Sequence, residues 1–128
     1  FPILEHYYTG AGSLRPLVNE FHLFSLGAVT PGELRSIKRL GSKSNAVLRS
    51  LFARRGLKLH SLILAFGIAD GQIMLGDELT PRTCLASEDH PRPRRGKEVI
   101  PEGGKPSFEA YRVMRDRLLA MPEVKAAL

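Results

Sequence analysis

The side chains best suited to chemistry in this sequence are basic, and they occur in two stretches. One is a predicted helix with little acid to offset its charges, which carries Arg35, Lys38, Arg39, Lys43, Arg49, Arg54 and Arg55. The other is a run rich in Pro, Gly and Arg near residue 93. Because clustered Lys and Arg bind phosphates and other polyanions, a polyanion-binding surface is one interpretation, and a solvated basic face is the other. The candidate residues are Lys38, Arg39, Arg92, Arg94 and Arg95.

Metal and thiol chemistry have less support in the residue types. The four histidines lie far apart, without the spacing of zinc ligands. Cys84 is the single cysteine, which excludes an internal disulfide and fits a reducing compartment. No base stands next to Cys84 in the sequence, so a structural role is expected for this thiol.

The stretch that must position any site is a predicted β-hairpin. Residues 57–66 form an apolar run, Ala69-Asp70-Gly71 marks a turn, and residues 72–79 run back. An Asp-Gly pair between two apolar runs favours a hairpin, because Gly readily supplies the positive φ that such turns need. Both strands are apolar on both faces in the middle, which predicts that neither side is open to water.

Two helices are expected to cover this hairpin. Thr30, Pro31 and Glu33 form a helix start, and Gly56 stands where a helix ends, so a helix is predicted over Pro31–Arg55. A second apolar stripe predicts a helix over Ser107–Met121.

The residues between the hairpin and the second helix, 90–107, are predicted to form a mobile loop. The fold class is therefore α+β: a single domain over residues 1–128, with an antiparallel sheet centred on the hairpin. No apolar run approaches the roughly 20 residues that cross a membrane.

Several motifs in this order resemble the carboxy-terminal lobe of SAICAR synthetase. The chain has LILAFG, a turn with Gly, GDE and TPRTCLASE, and the family pattern is similar to VDFKLEFG, DGE, LGDE and SPDTCRLWD. PLVNE at Pro16–Glu20 and EAYRVMRDRL at Glu109–Leu118 extend the resemblance. It implies an ATP-dependent ligase that joins aspartate to a carboxyaminoimidazole ribotide in purine synthesis, with ATP and Mg²⁺ as cofactors.

The resemblance also marks positions at which the charged residues have changed. Ser61, Ile63 and Ala65 stand where the family has an aspartate, a lysine and a glutamate. Such carboxylates hold magnesium, and such a lysine meets developing phosphate charge. Asp77 is implied as the retained metal ligand, although one carboxylate beside Ile63 and Ala65 is a poor magnesium site. Its alternative role is to cap the turn at Thr80-Pro81 or to pair with Arg82.

The turn that follows departs from the family as well. Arg82 replaces an aspartate, Leu85 an arginine and Ser87 a tryptophan. Leucine cannot replace an arginine that grips a phosphate with a bidentate fork. The resemblance leaves Glu78 and Thr83 as substrate-binding candidates, and it leaves no catalytic residue to name.

Two functional hypotheses remain open. The first is a SAICAR synthetase-family domain, inactive as an isolated lobe, whose partner is an amino-terminal nucleotide-binding lobe or a larger assembly. The second is a non-catalytic binding or assembly subunit with a basic surface for RNA or another acidic partner. No cofactor is expected for this chain alone, no membrane is implicated, and the expected location is the cytoplasm or an organelle matrix.

Overall fold

The computed structural model describes residues 2–10, 12–76, 78–88 and 108–120, and within them short strands and helices are grouped along the chain. The elements in chain order are β1 (His6–Tyr7), β2 (Leu17–Val18), α1 (Glu20–Ser25), α2 (Pro31–Arg54), β3 (Leu57–Leu62), β4 (Ala65–Ala69), β5 (Gln72–Gly76), β6 (Cys84–Glu88) and α3 (Phe108–Leu119). The strands pair as β1 with β2, β3 with β6 and β4 with β5. The α+β class with antiparallel pairing is thus confirmed.

The long helix α2 begins and ends where its sequence signals predict. The Thr30 N–H donates to Glu33 Oε2 at 2.7 Å, and the Glu33 N–H donates to Thr30 Oγ1 at 3.2 Å. This reciprocal pair satisfies two N–H groups at the helix start. After Arg54, the chain leaves the helix through Gly56, whose φ of 69° is the left-handed conformation that favours glycine.

The predicted hairpin is present, but its first strand is divided. Asp70 and Gly71 have φ values of 50° and 72°, as a two-residue hairpin turn requires, and they join β4 to β5. The expectation of one continuous strand from residue 57 to 66 is wrong, because pairing stops between Leu62 and Ala65. The first part, β3, pairs with β6, a strand that the apolar pattern did not reveal.

Contacts within the described part of the chain divide it into two compact units, residues 1–44 with 66–75 and residues 45–65 with 76–128. The second unit holds a core of buried side chains from α2, β3, β6 and α3. Its members are Phe52, Leu57, Leu59, Cys84, Ala86, Ala110 and Met114. The first unit holds the β4–β5 hairpin and the amino-terminal part of α2. In that unit the ring of Phe66 lies beside Gly41.

The prediction that both faces of the hairpin are shielded from water is wrong for this chain. Ile63, Ile68 and Met74 are 62%, 57% and 53% exposed. An apolar run shows that a surface tends to be covered, but it does not show that the same chain covers it.

Other predictions fall on residues that the structure does not describe. The loop predicted at 90–107 lies outside the described residues, and the prediction of one domain over residues 1–128 stays a prediction. Within the described ranges, no helix is long and apolar enough to cross a membrane.

Candidate functional site

The first two candidate residues, Glu78 and Thr83, lie in a tightly bonded turn that leads into β6. The Thr83 hydroxyl donates to the Glu78 carbonyl oxygen at 2.8 Å and accepts the Thr80 N–H at 3.1 Å. The N–H groups of Thr83 and Cys84 both donate to the Thr80 carbonyl oxygen at 2.9 Å. Thr83 is buried, so its hydroxyl holds the turn together.

The turn also carries an ion pair. An Arg82 guanidinium nitrogen lies 3.3 Å from Glu78 Oε1, and both side chains are substantially exposed. The sequence suggested Arg82 as a partner for Asp77, which lies outside the described residues. In the structure, Arg82 pairs with the neighbouring carboxylate of Glu78 at the i, i+4 spacing.

The positions that carry charge in the family lie beside this turn. Ser61 pairs with Leu85 in the β3–β6 register, and the Ile63 N–H donates to the Thr83 carbonyl oxygen at 2.8 Å. Two residues further on, Ala65 begins β4. We call the four substituted positions Ser61, Ile63, Ala65 and Leu85, together with the retained Thr83, the substituted patch.

The substituted patch offers two hydroxyls and apolar groups, with no carboxylate and no cation. Such side chains lack the charge that is needed to ligate magnesium or to stabilise a phosphoryl group. In the ranges that the structure describes, no group of three or more His, Cys, Asp or Glu residues could hold a metal ion. The magnesium that the resemblance implies therefore does not fit the described residues.

Cys84 lies at the edge of the patch but faces the core. Its side chain is 1% exposed, and burial raises the pKa of the Cys84 thiol above its ordinary value. A protonated, buried thiol is a poor nucleophile. The structural role predicted for Cys84 agrees with this environment.

One polar pair was not predicted. His60 Nε2 and Ser87 Oγ lie 2.7 Å apart across the β3–β6 ladder. A β-bulge between Leu59 and Ser61 makes His60 the extra residue of its strand, so the contact could not be found without the register. A nucleophilic serine also needs a group that orients its histidine, and no described residue is seen to supply one.

The basic candidates differ in their surroundings. Lys38 is engaged in an ion pair with Glu20, whereas Arg39 is exposed on α2. Arg92, Arg94 and Arg95 lie outside the described residues. The structure therefore places two of the five candidates on one helix, and only Arg39 of these two is without a carboxylate partner among the described residues.

Removal of the Thr83 hydroxyl tests the structural role of the turn. Thr83→Val is expected to lower the free energy of unfolding by about 1–3 kcal/mol, because it removes the buried hydroxyl that bonds the Thr80 N–H and the Glu78 carbonyl oxygen. Arg82→Gln in the same turn breaks an exposed ion pair and is expected to cost at most about 1 kcal/mol. Urea denaturation of both variants measures the difference, and equal midpoints would contradict the role assigned to Thr83.

Comparison with known proteins identifies relatives of this chain by sequence. The sequence model of the family described as SAICAR synthetase matches residues 1–99. Phosphoribosylaminoimidazole-succinocarboxamide synthase from Idiomarina loihiensis is 38% identical over 117 residues, which cover 91% of this chain and 49% of the relative. The protein of the same name from Thermococcus kodakarensis is 33% identical over 125 residues, 97% of this chain and 53% of the relative.

Solved structures agree with the sequence relatives. A SAICAR synthetase (Type-2) in complex with ADP superposes with a TM-score of 0.78 at 27% identity, over 93% of this chain and 51% of that one. Phosphoribosylaminoimidazole-succinocarboxamide synthase from Ehrlichia chaffeensis gives a TM-score of 0.76 at 29% identity, over 95% and 53%. The chain thus spans about half the length of the relatives that it matches.

Proposed function

This chain belongs to the SAICAR synthetase family, and we propose that it is a carboxy-terminal-lobe-like domain that has kept the family fold and lost the ligase chemistry. The reaction that the family resemblance implies is the ATP-dependent ligation of L-aspartate to a carboxyaminoimidazole ribotide. One observation carries the proposal, namely the substituted patch. Ser61 and Ile63 lie next to the turn at Thr83, as a shared site requires. The charged side chains that the resemblance places at the substituted positions are absent from this sequence.

The remaining candidates do not replace what the patch lacks. Glu78 faces Arg82 at 3.3 Å, and the buried Thr83 hydroxyl bonds to backbone groups of the turn. Glu78 and Thr83 would have to break these local bonds in order to contact a substrate. Leu85, in the place of an arginine, has no donor to offer a phosphate.

A partner that completes the fold is part of the proposal. Ile68 and Met74 are more than half exposed on the β4–β5 hairpin, and an isolated two-stranded hairpin is marginally stable in water. Together with the half-length match, this exposure supports an amino-terminal lobe or a larger assembly that covers the hairpin. The family's role in purine synthesis supports a location in the cytoplasm or an organelle matrix.

A second function, a non-catalytic binding or assembly subunit, is favoured by the charge of α2. The 24 residues of this helix contain a single acid, Glu33, which is bonded at the helix start. Its basic side chains are spread along the whole helix. A basic surface of this kind suits an acidic partner.

Nucleotide binding tests the first function. Calorimetric titration of the isolated chain with Mg·ATP is expected to show weak binding or none, because Ser61, Ile63 and Ala65 supply no second carboxylate for the metal that the resemblance assigns to Asp77. Asp77→Asn is expected to change the result very little. A complete relative, titrated in parallel, is the positive control. Saturable binding in the low micromolar range would contradict the loss of the site.

A further inference from the structure

One row of exposed cations on α2 has no role in the family-like site. Arg35, Arg39 and Lys43 follow each other at i, i+4 and i+8, and all three are exposed. Residues four apart lie on the same face of a helix, about 6 Å apart along its axis. We call these three residues the basic row. It lies within the first of the two compact units.

The basic row is not neutralised locally. In the described ranges, no carboxylate pairs with Arg35, Arg39 or Lys43, whereas Lys38 on the same helix is paired with Glu20. Like charges at i, i+4 destabilise a helix, and the row contains two such pairs. A bound polyanion would remove this repulsion, so the arrangement favours an anionic partner.

The surroundings of the row indicate which kind of polyanion. Exposed Ser42 lies one turn after Arg39 and seven residues after Arg35, about 20° from Arg35 around the helix axis, and it adds a hydroxyl donor. Protein–protein interfaces have an apolar centre. Nucleic-acid interfaces are polar and positively charged, with Arg, Lys and Ser donating to phosphates. The described side chains on this face fit the second kind.

We propose that the basic row binds the phosphate backbone of single-stranded nucleic acid, with one phosphate for each of Arg35, Arg39 and Lys43. The proposal rests on the second function above, of which it names the surface and the partner. RNA and DNA share this backbone chemistry, and a flexible single strand can follow a straight row of cations. Recognition of this kind depends on charge and reads no base sequence.

The test measures fluorescence anisotropy of labelled oligouridylate and oligodeoxythymidylate with the full chain over a series of salt concentrations. For single strands, each phosphate contact contributes about −0.7 to the slope of log K against log salt. The variant Arg35→Gln/Arg39→Gln/Lys43→Gln is expected to flatten that slope by about two. Equal slopes and equal affinities with the two probes indicate backbone contacts alone, and tighter binding of oligouridylate at every salt concentration assigns the site to RNA.

A matched control removes the same number of charges elsewhere. Arg82, Arg112 and Arg115 are exposed and paired with Glu78, Glu109 and Asp116. Arg82→Gln/Arg112→Gln/Arg115→Gln is therefore expected to leave the slope within about half a unit of the original. Far-UV circular dichroism confirms that both variants fold.

Three results would overturn the proposal. They are an unchanged slope in the row variant, an equal loss in the control variant, and displacement of the oligonucleotide by polyglutamate at equal charge concentration, which would assign the row to an acidic protein. Salt-dependent binding with an unchanged slope in the row variant overturns the basic row alone, whereas no binding of either oligonucleotide or of polyglutamate would overturn the second function as well.

Discussion

Supplied with the ribotide substrate, L-aspartate and Mg·ATP, the chain alone is expected to form no SAICAR above the uncatalysed background. Ser61, Ile63 and Ala65 stand where the family resemblance requires two carboxylates and an amine. Leu85 stands where an arginine holds phosphate. The Ser61–Leu85 register and the Ile63–Thr83 hydrogen bond place three of these positions next to the Glu78–Cys84 turn, so their substitution is expected to affect one site.

The size of the expected loss follows from electrostatic stabilisation. Removal of one donor aimed at developing charge typically costs about 2.7–4 kcal/mol, or 100- to 1,000-fold in rate. Losses within one site overlap and do not add, but several together bring the rate close to background. Chromatographic detection of the product measures the outcome, with a complete relative as the positive control. Product formation above background would mean that other side chains supply the missing charges.

The largest expected effect on stability comes from Phe52. This side chain is 1% exposed in the core of the second unit, between helix α2 and the β3–β6 ladder. Phe52→Ala is expected to lower the free energy of unfolding by about 3–5 kcal/mol, through lost burial and the cavity left behind. Whole domains are stable by only about 5–15 kcal/mol, so this variant should be largely unfolded under mild denaturing conditions.

Val47 provides the matched control on the same helix. Its side chain is 57% exposed, so Val47→Ala is expected to change the free energy of unfolding by at most about 0.5 kcal/mol. Urea denaturation followed by circular dichroism compares the two variants. Similar midpoints for Phe52→Ala and Val47→Ala would contradict the core described for the second unit.

Local signals in the sequence predicted local structure well. The capping pair of Thr30 and Glu33, the left-handed Gly56 and the Asp70-Gly71 turn all have the predicted geometry. Each depends on residues that lie within a few positions of one another, where one backbone conformation is strongly preferred. Helix boundaries and the turn were therefore predictable.

Pairing between distant strands was not predictable from the same signals. Strand β3 pairs with β6 across more than 20 residues, and the apolar run that contains β3 continues into β4 without a visible break. An apolar pattern shows that a strand is stabilised by burial, but not which strand it joins. The exposure of Ile63 and Ile68 was not predictable for the same reason, because the apolar pattern does not identify which surface packs against these side chains.

The resemblance gave the positions of the candidate site, and the structure gave the contacts between them. The resemblance identified the Ser61, Ile63 and Thr83 positions, but their proximity was not predicted and follows from the β3–β6 register. The pairing of Arg82 with Glu78 and the contact of His60 with Ser87 depend on side-chain geometry and on a β-bulge. The i, i+4 spacing of Glu78 and Arg82 is visible in the sequence, but outside a helix it does not predict that the two side chains meet. The His60 contact has no such spacing.

The central claim is that ligase chemistry is lost through substitution and not merely because this chain spans about half the length of its relatives. Complementation separates the two causes. A relative is divided into separately expressed amino-terminal and carboxy-terminal halves, and SAICAR formation is measured when its amino-terminal half is mixed with its own second half or with this chain. Binding of the two halves is verified first. The account predicts product from the divided relative and none above background from the mixture with this chain. Product from that second mixture would contradict the claim and would show that the substituted patch still supports the reaction.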